Sequence, residues 1–144
     1  MKVDDLLANW EKDSKLDKDH LDDEALKIDE LHFKYTRMII LENVKLAKIK
    51  NKYNEKYNEL WIFYTQGAKT PKTIEEIKKA AGGALLKVDA DRRIQADEDF
   101  QQVSLEVALQ TEICAALKSI IWSITKRNEN IKSFISFRKL MEGN

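Results

Sequence analysis

One proline, one cysteine, two histidines and four glycines in 144 residues leave this chain few ways to break a helix, bridge two segments or hold a metal. The single Cys114 excludes an intrachain disulfide, and that fits a reducing cytoplasm. Scarce proline and glycine beside 35% charged residues is the profile of long helices and helical assemblies. Hydrophobic residues at 43% are too many for a disordered chain. No apolar run is expected to reach the roughly 18 residues of a membrane span. The acidic start also lacks the basic-then-apolar order of a signal peptide. A soluble cytoplasmic protein with no membrane partner is the expectation.

Chemistry is equally scarce. His32 follows Asp29 by three residues, one half of the carboxylate-x-x-His step of di-iron bundles. That site needs two such steps, and the other histidine, His20, sits in a polar linker. Cys114 falls on an apolar helical line with no histidine near it in sequence, so it reads as a small buried hydrophobe. Gly82 and Gly83 are too few for a phosphate loop, and no G-x-x-x-x-G-K motif exists. No enzyme, metal or cofactor is expected.

The formal net charge is zero, but it is unevenly spread. Residues 1–30 hold eleven acids against five bases. Residues 34–56 hold seven bases, Lys34, Arg37, Lys45, Lys48, Lys50, Lys52 and Lys56, against Glu42 and Glu55. Attraction for an anion is therefore local and salt-dependent.

Periodicity predicts a short helix from Asp4 to about Lys12, then a polar break. A long helix should begin at Asp19 or Asp22, either of which can cap it, and run to Gly67. Its apolar line runs from Ile28 through Leu31, Tyr35, Met38, Leu46, Ile49 and Tyr53 to Tyr64, interrupted by Glu42. At about 40 residues and 1.5 Å per residue it spans about 60 Å, too long to bury itself in so small a domain. A short helix is expected from Thr73 to about Ala81. Residues 84–95 show neither helical nor alternating pattern and are expected to be irregular or extended. From Phe100 the line Val103, Val107, Gln110, Cys114, Leu117, Ile121 and Ile124 alternates steps of three and four. A second line, Leu105, Leu109, Ile113, Ala116 and Ile120, flanks it. An arc that wide implies burial from two sides, once by this chain and once by another copy. Asn128 to Asn130 should break this helix before a final one carrying Ile131 and Phe134.

Within the long helix, Lys45, Lys48, Lys52 and Lys56 fall on one stripe, beside Tyr53, Tyr57, Trp61 and Tyr64. Ammonium groups that track phosphates and flat rings that stack unpaired bases are what single-stranded nucleic acid requires. The same residues also suit a packed aromatic seam with a solvated basic face. Spacing alone leaves both readings open.

The order of parts resembles the UvsY family, the recombination mediators of T-even and related marine phages. The resemblance runs through Asp17 and Leu21, then Phe63, Tyr64, Thr65 and Gly67, then Ala90, Asp91 and Arg92. It ends with Ile124, Arg127, Ile131, Lys132, Arg138 and Gly143. It implies an all-α, long-helix bundle that assembles into a ring-like homo-oligomer and binds single-stranded DNA. Such a protein helps load a phage recombinase in place of single-stranded DNA-binding protein. A coiled-coil scaffold or adaptor without DNA binding is the rival. The expected regions are an N-terminal helical one (1–67), a linker (68–95) and a C-terminal assembly region (96–144). DNA contacts are expected at Lys45, Lys48, Lys52 and Lys56, with Trp61 or Tyr64 stacking and Lys69 and Lys72 assisting. Assembly is expected through Phe100, Val103, Val107, Leu117, Ile121, Ile124, Ile131 and Phe134. The basic pair that the family carries before its paired aromatics is absent here, where Asn58 and Leu60 stand.

Overall fold

The computed structural model describes residues 1–66 and 87–143. Every regular element among them is an α-helix: α1 (Val3–Asp13), α2 (Leu21–Leu26), α3 (Ile28–Gln66), α4 (Lys87–Ala96) and α5 (Glu98–Met141). The helix expected over 73–81 lies outside the described residues. The chain forms two compact units. One is Met1–Val44 with Thr111–Asn144, and the other is Lys45–Gln110. The three stretches expected from chain order are cut across by these units, because α3 and α5 each contribute to both.

In the first unit Leu6, Tyr35, Ile113, Leu117, Ile120 and Ile124 form a continuous core, with Trp10, Leu31 and Met38 packed around it. The Trp10 and Tyr35 rings meet edge to face at 5.5 Å. Tyr35 is fully buried, so its hydroxyl needs a partner, and it donates to Asp13 Oδ2 at 2.8 Å. Lys34 Nζ donates to the same oxygen at 2.6 Å. Burial alone would push the Asp13 carboxyl up. The hydrogen bonds from Lys34 and Tyr35, with the lysine's charge, more than offset this and hold it below its ordinary value.

The C-terminus of α1 is closed from far along the sequence. Arg127, buried on α5, donates to Ser14 O at 2.8 Å and to Asp13 O at 3.4 Å, and lies 5.8 Å from the Trp10 ring centroid. A guanidinium suits this place, since it satisfies orphan carbonyls and its charge complements the negative end of the helix dipole. Arg138 likewise donates to Lys18 O at 2.9 Å while sitting over Phe134, so α5 also holds the polar loop after α1.

Several expectations are corrected. The long helix is interrupted once, at Lys27, so α2 stands apart from the 39-residue α3. Neither Asp19 nor Asp22 caps it, since His20 occupies the N-cap of α2 with no side-chain cap bond. Glu42, which broke the apolar line, is buried and lies 3.9 Å from the Met1 ammonium. Of the segment 84–95 expected to be irregular or extended, residues 87–95 are helical, since 87–96 is α4, and 84–86 lie outside the described residues. Ala90 and Ile94, four apart and both fully buried, mark its inner face, and alanine gives little apolar signal among so many charges. Asp97 then caps α5, its carboxylate accepting from the Phe100 amide at 2.9 Å. No break occurs at Asn128 to Asn130, where α5 runs on for a total of 44 residues. Asparagine costs a helix at most about 0.7 kcal/mol. Burying Ile131 on the same face as Ile124 and Arg127 outweighs that, at about 1.5–3 kcal/mol for such a side chain.

Of the residues assigned to assembly, Phe100, Val103, Leu117, Ile124 and Ile131 are buried by this chain's own helices. The burial that the sequence pattern attributed to a second copy is thus supplied, for these five, within one chain. Val107, Ile121 and Phe134 are half-buried. Against the expectation that no such run exists, a stretch within α5 is long and apolar enough to cross a membrane by composition. That helix carries the Ile113, Leu117, Ile120 and Ile124 core residues, and the core helix of a water-soluble domain passes the same test.

Two outcomes follow from these contacts. Arg127→Leu keeps most of the buried stem but removes the donors closing α1, and should lower stability by about 2–3 kcal/mol in urea unfolding. His20 Nδ1 lies 2.8 Å from Asp17 Oδ2, and that hydrogen bond raises the imidazole above its ordinary value. The pair therefore contributes fully below about pH 6.5 and its contribution is lost as pH rises through the folded-state value. An NMR titration should place His20 above the ordinary imidazole value, and Asp17→Asn should bring it down.

Candidate nucleic-acid interface

The second unit contains the lysine and aromatic stretch of α3. Its aromatic line divides in two. Tyr53 and Tyr57 both pack on Phe100, at ring centroid distances of 4.9 and 5.8 Å, and Phe100 is fully buried. The Tyr57 hydroxyl donates to Asp91 Oδ1 on α4 at 2.7 Å, which raises the phenol above its ordinary value. These two rings are seam residues that join α3 to α4 and α5. Trp61 lies next along the line, stacked on Tyr57 at 6.1 Å and 18°, and Phe63 and Tyr64 meet edge to face at 5.1 Å. Trp61 and Tyr64 are only partly buried, so each keeps some ring surface for solvent. The Thr65 hydroxyl donates to Trp61 O at 2.6 Å, within the last turn of α3.

The lysines take the side of α3 that flanks this seam. Lys45, Lys48 and Lys52 are exposed, while Lys56 is partly covered. Lys48 makes no ion pair among the described residues. Lys52 Nζ lies 3.4 Å from Glu106 Oε2 on α5, and Lys56 Nζ lies 3.9 Å from Glu59 Oε2 one turn on. Exposed pairs of this kind contribute between about 0 and 1 kcal/mol, so a phosphate can displace either carboxylate. Sequence spacing brought the four lysines to one face correctly. It missed Glu106 and Asp91, whose positions 54 and 34 residues away from their partners carry no local signal. Lys69 and Lys72 lie outside the described residues. Asn58 is exposed and Leu60 is half-buried, so neither position at which the resemblance expects a basic residue carries a charge.

The described residues hold no cluster of three histidine, cysteine or acidic side chains able to bind a metal. What the arrangement offers is one basic face of a helix, edged by partly exposed rings. Residues 9–144 match the model of a family described as UvsY, recombination, repair and ssDNA binding protein. The chain belongs to the UvsY family. No curated protein and no solved structure matches it. Several UvsY-like positions near the C-terminus turn out to be structural: Ile124 and Ile131 fill the core, Arg127 closes α1, and Arg138 holds the loop after it.

Phe100 is the seat on which both tyrosines rest. Phe100→Ala should cost about 3–5 kcal/mol and release Tyr53 and Tyr57, read as lost amide-exchange protection in α4 and the middle of α3.

Proposed function

We propose that this UvsY-family chain binds single-stranded DNA along the exposed lysine face of α3 and acts as a recombination mediator. It helps a phage recombinase replace single-stranded DNA-binding protein in the host cytoplasm. The observation that carries this reading is the exposed run Lys45, Lys48 and Lys52 on one helix face, in a chain whose family is described by single-stranded DNA binding. Lys48 leads, because no carboxylate among the described residues pairs with it, with Lys52 and Lys56 joining as their pairs open. Trp61 and Tyr64 supply stacking surface, and Lys69 and Lys72 lie just beyond on the chain. No chemical step is required of such a protein.

One face with three or four lysines gives weak binding per chain, since each phosphate contact on a single strand contributes a salt slope of only about 0.7. A ring-like homo-oligomer multiplies such sites by holding several on one strand. Apolar surface for assembly is present on α3 at Phe33, Ile40, Leu41 and Val44 and on α5 at Leu105 and Leu109, all exposed. This surface, together with the half-buried Val107, Ile121 and Phe134, is more available to a second copy than the residues already in the core.

Fluorescence anisotropy with a labelled oligothymidine across a salt series tests the DNA face. Lys48→Glu with Lys52→Glu should weaken binding of all sequences alike and reduce the log–log salt slope by about 1.4. An unchanged titration would move the site off α3.

A further inference from the structure

Trp122 is the tryptophan this chain leaves in solvent, 64% exposed, whereas Trp10 and Trp61 are partly buried against neighbouring rings. The reason is geometric. The buried face of α5 carries Ile113, Leu117, Ile120, Ile124 and Ile131, and at 100° per residue Trp122 falls on the opposite side of the helix. Packing in its own unit therefore cannot cover it.

Its neighbours on that side are basic. Lys118 and Lys126 stand one turn before and one turn after it, the i±4 positions whose side chains meet a central residue on a helix. Lys126 Nζ lies 5.9 Å from the indole centroid. Lys118 is exposed and makes no ion pair among the described residues. The acid at hand is Glu129, 3.4 Å from Lys126 and itself 71% exposed, a pair weak enough for a phosphate to replace. The rest of the face is small or uncharged, with Ala115, Ser119 and Thr125, so a flat base can reach the ring. Thr125 turns its hydroxyl back to Ile121 O, so it presents no donor to a base stacked there.

We infer that Trp122, with Lys118 and Lys126, is a second single-stranded nucleic-acid contact, on α5 and separate in sequence from the lysine face of α3. One base stacks on the indole, and the flanking ammonium groups take the phosphates on either side. The two lysines are about 12 Å apart along the helix axis, which brackets a ring and its neighbours. Stacking on an aromatic face tolerates any base, so the contact adds affinity without sequence preference. This inference rests on the reading that the chain binds single-stranded DNA.

The test uses the full chain, a labelled oligothymidine and four proteins: wild type, Trp122→Ala, Trp122→Phe, and Lys118→Ala with Lys126→Ala. Circular dichroism checks folding and sedimentation checks assembly. Trp122→Ala should weaken binding about tenfold, and Trp122→Phe should recover most of it. The double lysine variant should reduce the salt slope by about 1.4, with assembly unchanged throughout. If the wild type binds and Trp122→Ala binds equally well, the inference falls while the α3 reading stands. If Trp122→Ala loses DNA and assembly together, Trp122 is a contact between subunits and the inference falls. If the wild type does not bind oligothymidine at any salt, the underlying reading falls and this contact with it.

Discussion

One helix contributes buried residues to the core of both units, and within each unit the other described helices cover it. Phe100 and Val103 of α5 are buried in the second unit, and Ile113, Leu117, Ile120, Ile124 and Ile131 in the first. A 44-residue helix has no interior of its own and keeps its conformation in water only where its apolar face is packed. Several polar contacts serve that packing. Asp97 starts the helix, Arg127 uses it to close α1, and Arg138 uses it to hold the loop that follows α1.

That demand for cover divides the aromatic residues. Tyr53 and Tyr57 are spent against Phe100, which leaves Trp61 and Tyr64 at the edge of the seam and Trp122 outside any core. Charged side chains divide in the same way. Asp13, Lys34 and Arg127 are occupied in the first unit, while Lys48 and Lys118 keep their charge in solvent. In a protein of zero net charge, such local runs of basic side chains are where a phosphate backbone finds attraction. Of the two readings left open by the sequence, the packed seam holds for Tyr53 and Tyr57, while Lys45, Lys48 and Lys52 lie on the exposed face on which the proposed DNA contact rests.

Much of the helical layout was legible. Period-three-and-four spacing marked α1, most of α3 and all of α5 as far as Ile124, because amphipathic spacing is a local property of the chain. The errors came where local preference met tertiary packing. Asn128 to Asn130 looked like a break, yet Ile131 and Arg127 are anchored on both sides of it. Residues 87–96 looked irregular, yet Ala90 and Ile94 give α4 a buried face. Trp122 stands off the apolar lines and carries no periodic signal.

By itself the sequence determined the helical class, the face shared by Lys45, Lys48, Lys52 and Lys56, and the UvsY-like order of parts, since these depend on residue type and spacing along one chain. Only the tertiary structure decided which aromatics are spent in the seam, which lysines meet Glu59 or Glu106, and that Arg127 caps a helix more than a hundred residues upstream. Those outcomes depend on which segments lie side by side. Burial and pairing between distant segments leave no periodic trace in either segment alone.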